Sequence, residues 1–416
     1  MRIAMLHYAA PPLVGGVETT IYHHARLLAE AGHGVSVIAG RGEAFHPRVV
    51  FHRIPEVDSS HTQVLAVGRA LARGQVPTAF ATLRNDLAAR LRPLLAECDV
   101  CLVHNAVTLH KNLPLTAALR LLAGEGLTRL VAWCHDLGWR DALYTPDLHE
   151  GYPWDLLRTR WPGVSYVVVS AHRRSALAEL LRMPETAIRV VHPGVDVAEF
   201  LKLEPMTREL VKKLDLLAAD PLLLLPARVT RRKNIELAIQ VTAALTRSKP
   251  RATLLVTGPP GPHNTANVAY LESLQELRER LKVADRVHFL YQCGDGDTPL
   301  HVTNSMMSDL FRLADVLLFP SQREGFGIPM LEAGLARLPI FCTDIAPFQE
   351  SGDGVAHYFS LDDSPAQIAR RIMAFLARDR AHRMRRRVLR CYTWSAILRQ
   401  EIMPLLQECL DECDRG

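Results

Sequence analysis

The segment SQREGFGIPMLEAG combines two carboxylates with a glycine-rich turn, and residues of these types together could hold a charged ligand. Glu324 and Glu332 lie on either side of that turn. The preceding stretch ADVLLFPS predicts a short buried strand, and Pro329 followed by MLEAGLAR predicts a helix. Glycines let the backbone approach a ligand closely, and a helix start offers unpaired N–H groups that favour an anion. We expect Glu332 in the first helical turn, facing the same crevice as Glu324, and a ligand rich in phosphate and hydroxyl groups, such as a nucleotide-sugar.

A basic loop, PARVTRRKN, follows another predicted strand and offers cations for the same kind of ligand. Arg228 lies at the strand end, and Lys233 lies just before a helix that we expect Asn234 to cap. Two cations at a helix start would form charge-assisted hydrogen bonds with a diphosphate and would stabilise it as a leaving group. Arg231 and Arg232 fit a solvated basic loop better.

Two loops in the first half of the chain also follow predicted strands. Gly15 and Gly16 directly precede a helix, so their amides could face a phosphate or a sugar, although such a pair also forms ordinary tight turns. His135 and Asp136 follow a strand that ends at Cys134. A lone histidine is often a packing residue, but a histidine beside an aspartate at a strand end is a candidate for substrate contact. Asp136 is the candidate for contact with the acceptor.

The loop after Asp136 is long and rich in aromatic side chains, at Trp139, Tyr144, Tyr152 and Trp154. Loops of this length in a compact domain are usually functional or disordered, and the aromatic content argues against disorder. The rings could stack on a sugar face of an acceptor, with Trp139 and Tyr144 as the candidates, or they could close a small core.

Short apolar runs alternate with helical patterns along the whole chain, which predicts two α/β domains with doubly wound parallel sheets. Ligands of such sheets bind at the carboxyl ends of the strands, so two facing sheets would form a cleft lined by strand-to-helix loops. A Pro/Gly turn within residues 192–205 marks the expected seam, with the first domain at 1–196 and the second at 197–392. The predicted strands are Ile3–His7, Val35–Ala39, Val49–Ile54, Val100–His104, Leu130–Cys134, Tyr166–Ser170, Ile188–Val191, Leu222–Pro226, Thr253–Thr257, Val287–Leu290, Val316–Phe319 and Ile340–Cys342.

Length and composition exclude several classes of protein. The 416 residues are enough for two domains with full cores. The formal charge of +5 is too mild to indicate nucleic-acid binding, and no apolar run approaches the roughly 18 residues of a membrane span. The arginine-dense stretch 370–390 fits either solvated helix faces or a surface that attracts anionic lipid. Eight scattered cysteines form no paired zinc motif, which favours a reducing cytoplasm.

The chain resembles the retaining glycosyltransferases of family 4, which have the GT-B fold of two Rossmann-like domains that face each other across a cleft. The resemblance covers nearly the whole chain and implies that the C-terminal helix, at about 393–416, crosses back to the first domain. It is carried by GGVE at 15–18, HPGVD at 192–196, ARVTRRKN at 227–234 and, above all, EGFGIPMLE at 324–332, the E-x7-E pattern of that family.

The resemblance also implies roles for individual residues. Arg228 and Lys233 would hold the donor diphosphate. Glu324 would contact hydroxyl groups of the donor sugar, Glu332 would bind the ribose, and His135 would touch the donor sugar near the reaction centre. Backbone amides that would meet the sugar and the phosphates are those of Gly15, Gly16, Phe326, Gly327 and Ile328.

The implied reaction is hexosyl transfer, of the EC 2.4.1 type, with retention of configuration at the anomeric carbon. A front-face attack, in which the leaving diphosphate helps to deprotonate the acceptor, fits better than a carboxylate nucleophile paired with a second carboxylate about 5 Å away. A short-lived covalent intermediate stays open. No metal or other cofactor is expected, because the basic pair already supplies the positive charge. The D-x-D at Asp295 and Asp297 and the TGPPGP run at 257–262 are interpreted as decoys.

Donor and acceptor stay open at this point. GDP-mannose and UDP-glucose are equally compatible donors. A saccharide or small polyhydroxy acceptor would use the aromatic loop, whereas a lipid-linked acceptor would use the arginine-dense stretch or the basic helices of the first domain at a membrane surface. A sugar-nucleotide 2-epimerase shares the fold, and a phosphorylase fits less well because no cofactor lysine is evident. The expected location is the cytoplasm, with peripheral contact to an inner membrane as the alternative, and the oligomeric state is open.

Overall fold

The computed structural model contains two compact units, each built on its own sheet. The first unit comprises Met1–Val195 together with the C-terminal segment that starts at Tyr392, and the second comprises Asp196–Cys391. This division lies one residue from the boundary placed between 196 and 197. The structure describes residues 1–261, 266–294, 296 and 298–411.

The first unit is built on a seven-stranded parallel sheet. Its strands are β1 (Arg2–Ala9), β2 (Gly34–Arg41), β3 (Val49–Arg53), β4 (Val100–His104), β5 (Arg129–Cys134), β6 (Val164–Val168) and β7 (Ile188–Val190). Every residue of β4, VCLVH, is buried, as expected for a strand covered on both faces. The strand order is β3-β2-β1-β4-β5-β6-β7, so the winding direction reverses between β1 and β4. We call such a reversal a switch point.

Helices cover the sheet of the first unit. They are α1 (Gly16–Glu30), α2 (Thr62–Leu71), α3 (Thr78–Ala96), α4 (Leu113–Glu125) and α5 (Ala171–Leu181). Asn112 caps α4 by accepting a hydrogen bond from the backbone N–H of Leu115, at 3.1 Å. The loop between β5 and β6 contains three short 3₁₀ turns, Gly138–Arg140, Thr145–Asp147 and Trp154–Leu157, in place of a long helix.

The second unit is built on a six-stranded sheet, also parallel between all neighbours. Its strands are β8 (Leu222–Leu225), β9 (Thr253–Val256), β10 (Val287–Phe289), β11 (Val316–Phe319), β12 (Ile340–Thr343) and β13 (His357–Phe359). The order β10-β9-β8-β11-β12-β13 places the switch point between β8 and β11. Both of these strands are wholly buried runs of four apolar residues.

Nine helices are described in the second unit. They are α6 (Val197–Phe200), α7 (Pro205–Lys213), α8 (Ile235–Thr246), α9 (Ala266–Arg280), α10 (Asn304–Leu313), α11 (Ile328–Leu335), α12 (Ala346–Gly352), α13 (Pro365–Arg378) and α14 (Arg380–Cys391). Asp379 separates α13 from α14 and thereby divides the arginine-dense stretch into two helices. Buried side chains from both sides of the sheet join in one apolar core.

The C-terminal segment packs on the first unit. It runs through α15 (Trp394–Ile397), a π-helical turn (Leu398–Ile402) and α16 (Met403–Asp411). Ile397 and Leu406 are fully buried in the core that also contains residues of α1 and β1. Glu401 accepts hydrogen bonds from the backbone and the Nδ1 of His192, at 2.7 and 2.9 Å, which ties the segment to the end of β7.

The sequence-based description of the fold is confirmed in outline and corrected in detail. All twelve predicted strands are present, and the doubly wound parallel sheets of both units are as expected. The thirteenth strand, β13, was missed. Asn234 does begin α8, but its backbone is left-handed, at φ 50°, and its side chain caps nothing, so the predicted cap is wrong. Glu332 is the fifth residue of α11, beyond the first turn in which it was expected.

Gly194 in the HPGVD motif lies directly against the C-terminal segment. A Cβ atom at this position would lie 2.7 Å from Cδ2 and 2.9 Å from the backbone nitrogen of Trp394. We therefore expect Gly194→Ala to destabilise the protein by about 1–3 kcal/mol, as overpacking does. A thermal melt followed by circular dichroism measures this. The control is Gly68→Ala in α2, where the added methyl group meets open space and is expected to stabilise by up to about 1 kcal/mol. Equal melting temperatures of the two variants would contradict the expectation.

Candidate functional site

The loops that follow β8 and β11 meet at the switch point of the second unit. The backbone N–H of Gln322 donates to the carbonyl oxygen of Arg232 at 2.8 Å. Nη1 of Arg232 donates to the carbonyl oxygen of Arg323 at 3.1 Å. Two segments that are about 90 residues apart in sequence therefore form one local structure, at the place where open α/β sheets bind their ligands.

A buried ion pair lies at the centre of this structure. Nζ of Lys233 pairs with Oε1 of Glu324, and Nη1 of Arg232 pairs with Oε2 at 2.9 Å. The side chains of Lys233 and Glu324 are only 10% and 9% exposed, whereas Arg232 is half in solvent. The Lys233 ammonium also lies 5.0 Å from the centre of the Phe319 ring. The carboxylate is thus held from both sides by cations, and its orientation is set before any ligand binds.

Burial and charge act on this pair in opposite directions. Burial would raise the pKa of Glu324, but the hydrogen bonds and charges of Lys233 and Arg232 outweigh it and hold the pKa below its usual value. Burial lowers the pKa of Lys233, and the Glu324 carboxylate only partly offsets that effect. The carboxylate therefore stays ionised well into the acid range.

Arg228 is a cation at this switch point that remains available. Its side chain is exposed and makes no hydrogen bond or ion pair with residues that the structure describes. The backbone around it is held by the loop after β9: the N–H of Val229 donates to the carbonyl of Pro259 at 2.9 Å. A Cβ at Gly258 would lie 2.5 Å from the carbonyl oxygen of Ala227, so this close approach requires glycine. The described part of the TGPPGP run, 257–261, therefore supports the arginine loop, and Pro262 lies outside the described residues.

The glycine turn leads directly into α11. Gly327 has φ 98° and forms the N-cap, and a Cβ there would lie 2.8 Å from the Phe348 ring. Phe326 and Ile328 on either side are 41% and 63% exposed. Glu332 is exposed and borders a cavity of about 350 Å³ between α10 and α11. Its side chain makes no hydrogen bond or ion pair with the described part of the chain, in contrast to that of Glu324.

Histidines collect at the switch point of the first unit. His7 near the end of β1, His104 at the end of β4 and His135 just after β5 are linked in order. Nδ1 of His7 donates to the carbonyl of His104 at 3.0 Å, and Nδ1 of His104 lies 3.0 Å from Nε2 of His135. Asn105, at φ 60°, accepts from the backbone N–H groups of His135 and Asp136 at 2.9 and 3.1 Å. This amide fixes the backbone on which both predicted site residues lie.

Burial keeps these imidazoles neutral. It lowers the pKa of His135 to about 3, with a smaller contribution from the charge of His7. It lowers the pKa of His24, on the neighbouring face of α1, to about 3 as well. The pKa of His104 is also far below its usual value, chiefly through burial. At neutral pH these rings can donate and accept hydrogen bonds but carry no charge.

The start of α1 already holds a carboxylate. Gly15 is the N-cap and Gly16 the first helical residue. The side chain of Glu18 folds back over Gly15, so closely that a Cβ at Gly15 would lie 2.1 Å from its Oε2. Nothing lies within 4 Å of the corresponding position at Gly16, which is exposed. Because Glu18 would repel a phosphate, the amides at this helix start suit a sugar hydroxyl better than an anion.

The aromatic loop divides between core and surface. Trp154 is buried in the core, and Trp139 packs against that core, donates from Nε1 to the carbonyl of Trp154 at 3.3 Å and is covered by Arg158 at 4.2 Å. Tyr144 is half-exposed and lies under the Lys111 ammonium at 4.5 Å. For the tryptophans the structure shows the small core that was one of the two interpretations.

Several residues of both sites were not found from the sequence. Arg232 was assigned to a solvated loop, but it binds Glu324 and the backbone of Arg323. His104 and Asn105 support His135 and Asp136 and were not singled out. The sequence did contain a signal for His104 and Asn105. His104 is the last residue of one predicted strand and Asn105 follows it, and the next predicted strand is the one that precedes His135. None existed for Arg232, because its partner lies elsewhere in the sequence.

No group of three or more metal-binding side chains is found within the ranges that the structure describes. Asp295 and Asp297 of the D-x-D motif lie outside those ranges.

Comparisons with known proteins agree on one class of enzyme. The family model described as Glycosyltransferase Family 4 matches residues 14–199, and the one described as Glycosyl transferases group 1 matches 206–388. The chain is 24% identical over 372 residues to a glycogen synthase of Mycobacterium tuberculosis, covering 84% of this chain and 80% of that protein. It is 30% identical over 193 residues to a D-inositol 3-phosphate glycosyltransferase of Streptomyces avermitilis, covering 45% and 39%. A solved structure of WaaG, a glycosyltransferase involved in lipopolysaccharide biosynthesis, matches 94% of each chain at 19% identity and a TM-score of 0.34.

The ion pair at Glu324 generates a prediction about pH. Glu324→Gln keeps the shape of the side chain and leaves Lys233 buried without its counter-ion, so we expect a loss of about 1–3 kcal/mol of stability at neutral pH. The pKa of Glu324 is lower in the folded than in the unfolded protein. Its contribution is therefore present above the unfolded value, near pH 4.3, and is lost as the pH falls through the folded value.

Urea unfolding midpoints measured from pH 3 to pH 8 test this expectation. The difference between wild type and Glu324→Gln should be constant above about pH 5.5 and should shrink at lower pH. The control is Glu350→Gln in α12, an exposed glutamate, for which no pH-dependent difference is expected. A difference for Glu324→Gln that did not change with pH would contradict the assignment of the stabilisation to the ionised carboxylate.

Proposed function

We propose that this chain, which is a glycosyltransferase of the GT-B type, transfers a hexose from a nucleoside-diphosphate sugar to a hydroxyl group of a saccharide or small polyhydroxy acceptor, with retention at the anomeric carbon. The observation that carries the proposal is the pairing of Glu324 with Lys233 and Arg232 at a switch point, beside the unpaired and exposed Arg228. A site with surplus positive charge and one fixed carboxylate suits a ligand that carries both phosphates and hydroxyl groups.

The second unit would bind the donor. Arg228 and Lys233 would hold the diphosphate, since Arg228 has free donors and Lys233 can share its three N–H groups between Glu324 and a phosphate. The start of α11, with exposed residues on both sides of Gly327, would offer backbone N–H groups. Glu332 is exposed and beyond that helix start, which suits a ribose hydroxyl better than a phosphate.

The catalytic step would depend on stabilising the leaving group. The acceptor oxygen bonds to the anomeric carbon as the bond to the diphosphate oxygen breaks, and the acceptor proton passes to that departing oxygen. Arg228 and Lys233 stabilise the charge that develops there. Glu324 orients Lys233 and can accept a hydrogen bond from a sugar hydroxyl. This front-face route needs no carboxylate nucleophile and no cofactor.

His135 would contact the transferred sugar as a neutral group. Because its pKa is about 3, it is a poor proton acceptor at neutral pH and a good hydrogen-bonding partner for a hydroxyl group. Gly15 and Gly16 would contribute backbone amides to the sugar, and Asp136 and Tyr144 are the candidates for acceptor contact. Trp139 contributes mainly by shaping the loop, since Arg158 covers one face of its ring.

The names of relatives support the class of substrates. A glycogen synthase, a D-inositol 3-phosphate glycosyltransferase and a mannosyltransferase are among them. We therefore propose a donor of the GDP-mannose or UDP-glucose type and an acceptor rich in hydroxyl groups.

Arg228→Ala offers a sharp test, because the exposed side chain can be removed without breaking the ion pair. A saturating nucleoside diphosphate, GDP or UDP, should stabilise the wild type by about 2–3 kcal/mol in a thermal-shift assay. Loss of one charge-assisted hydrogen bond should weaken its binding about 10- to 100-fold in Arg228→Ala. Arg247→Ala, an exposed arginine just after the opposite end of α8, is the matched control.

Product analysis completes that test. Incubation with GDP-mannose or UDP-glucose and a saccharide should release the nucleoside diphosphate and form a glycoside whose anomeric configuration, measured by NMR, equals that of the donor. An altered sugar still attached to its nucleotide would identify a 2-epimerase instead. If no nucleotide raises the melting temperature of the wild type, the donor site is wrong.

A lipid-linked acceptor at a membrane surface is the second candidate, and the two faces of α14 favour it. The arginines of the inner face have a structural role, because they form hydrogen bonds within the second unit. Arg385 donates to the carbonyl oxygens of Arg312 and Leu313 at 2.8 and 2.5 Å. Arg386 donates to the carbonyl oxygen of Ala219 at 2.5 Å. The outer face exposes Arg380, Arg383, Met384, Arg387 and Arg390 at helical spacing.

This outer face has the chemistry of a surface for anionic lipid. Lys249 and these arginines line a cavity of about 780 Å³, together with Asp220, which pairs with Lys249 at 3.0 Å. Basic side chains clustered on an exposed helix face attract the headgroups of anionic lipids. No helix in the described residues is long and apolar enough to cross a bilayer.

Vesicle sedimentation tests this surface. Each basic residue near an anionic bilayer contributes about 1 kcal/mol, so Arg383→Glu/Arg387→Glu should weaken binding to phosphatidylserine-containing vesicles about 30-fold or more. The control, Arg69→Glu/Arg73→Glu, makes the same charge change with the same spacing at the exposed end of α2 and should bind as the wild type does. Equal loss in both variants, or no binding by the wild type, would contradict the membrane proposal.

A further inference from the structure

His104 is the last residue of β4 and His135 directly follows the neighbouring strand β5, and their rings share a hydrogen bond. Nδ1 of His104 lies 3.0 Å from Nε2 of His135. The ring centroids are 5.3 Å apart, and the ring planes differ by 28°. The rings therefore meet nearly edge to edge, with nitrogen facing nitrogen. In such a pair one imidazole donates and the other accepts.

The surroundings of His104 hold its ring in place. The residue is fully buried, and its ring lies against the indole of Trp133, with centroids 5.4 Å apart and planes 24° apart. Its carbonyl oxygen accepts the hydrogen bond from Nδ1 of His7 at 3.0 Å. Because both the ring and the backbone of His104 are constrained, Nδ1 of His104 is directed at His135 by the packing of the unit.

A count of protons decides which ring donates. Two neutral imidazoles carry two N–H groups, and one of these lies in the shared hydrogen bond. The other lies either on Nε2 of His104 or on Nδ1 of His135. Nε2 of His104 is buried and has no hydrogen-bond partner within the described ranges. His135 is half-buried, and its Nδ1 is not among the buried nitrogens without a partner.

The accessible nitrogen is the better place for the second proton. Buried N–H groups without a partner are rare in proteins and costly, more so than buried acceptors without one. A proton on Nε2 of His104 would be such a group, whereas a proton on Nδ1 of His135 can be satisfied by solvent or ligand. His104 is then the donor of the shared hydrogen bond.

We propose that His104 is a positioning residue whose Nδ1–H donates to Nε2 of His135 and thereby holds His135 in the Nδ1–H tautomer, so that His135 presents a fixed N–H donor to a hydroxyl oxygen of the transferred sugar. The last clause rests on the proposed function, because it requires contact between His135 and the sugar. The tautomer itself concerns two rings of one unit and depends on no ligand. The hydrogen bond made by one ring nitrogen of a histidine commonly determines whether the other ring nitrogen carries the proton.

Long-range ¹H–¹⁵N NMR of the full chain with ¹⁵N-labelled histidine tests the tautomer without ligand, with the signals of His135 assigned from their loss in His135→Gln. His104→Leu removes the donor. His24→Leu is the matched control: His24 is equally buried in the same cluster, with its ring centroid 6.5 Å from that of His104, and is not hydrogen-bonded to His135 in the described structure.

In the wild type and in His24→Leu we expect the ¹⁵N shift of a protonated nitrogen at Nδ1 of His135 and that of a bare nitrogen at Nε2. In His104→Leu both shifts should move towards an average of the two tautomers. A wild-type spectrum with the proton on Nε2 of His135 overturns the proposal, and so does an unchanged His135 spectrum in His104→Leu. If His104→Leu does not fold, the wild-type spectrum still decides where the proton lies.

Initial rates of sugar transfer test the consequence for the reaction. Loss of one fixed hydrogen bond to the sugar should lower kcat in His104→Leu about two- to tenfold. A shifted tautomer with an unchanged rate would overturn the contact between His135 and the sugar while leaving the tautomer assignment intact. If the wild type transferred no sugar at all, the proposed function would fail, and the spectrum would be unaffected.

Discussion

All strands of a parallel sheet end at one edge, and in a doubly wound sheet the connections leave that edge in opposite directions at a single switch point. In this chain the switch points lie between β1 and β4 and between β8 and β11. Polar side chains near the ends of these strands, or in the loops that follow them, can gather without crossing the apolar core. His7 and His104 do so in the first unit, and Lys233 and Glu324 do so in the second. The position of both candidate sites follows from this constraint.

The two switch points differ in charge. The difference arises because the free energy of desolvation is offset by ion pairing in the second unit but not in the first. Lys233 and Glu324 offset much of each other's desolvation, so a charged pair persists where little solvent reaches it. For His135 and His104 burial prevails, and the rings stay neutral. A fixed charge suits phosphate groups, whereas neutral donors and acceptors suit hydroxyl groups. The charges at the second switch point therefore suit phosphate groups, and the neutral imidazoles at the first suit hydroxyl groups.

Local sequence patterns predicted the strands, because a strand depends on residues that are close together in the chain. Apolar runs gave twelve strands, but β13, with the sequence HYF and two partly exposed residues, contains no such run. Arg232 was misplaced because its carboxylate partner is 92 residues away, a separation that no local pattern reports. Asn234 has a residue type favoured at caps, yet its backbone is left-handed and its side chain makes no capping hydrogen bond. Long-range pairing and backbone conformation decided these cases, and neither is visible in composition or periodicity.

The spacing of the two glutamates has a physical reason in this structure. Glu324 precedes the glycine turn and is already bound by Lys233 and Arg232, so its charge is largely compensated. Glu332 lies beyond the first turn of α11 and is uncompensated and exposed. A spacing three or four residues shorter would place the second carboxylate within the first turn, where it would compete with a phosphate for the free N–H groups. The observed spacing leaves the first turn of α11 without a carboxylate and places Glu332 one turn further on.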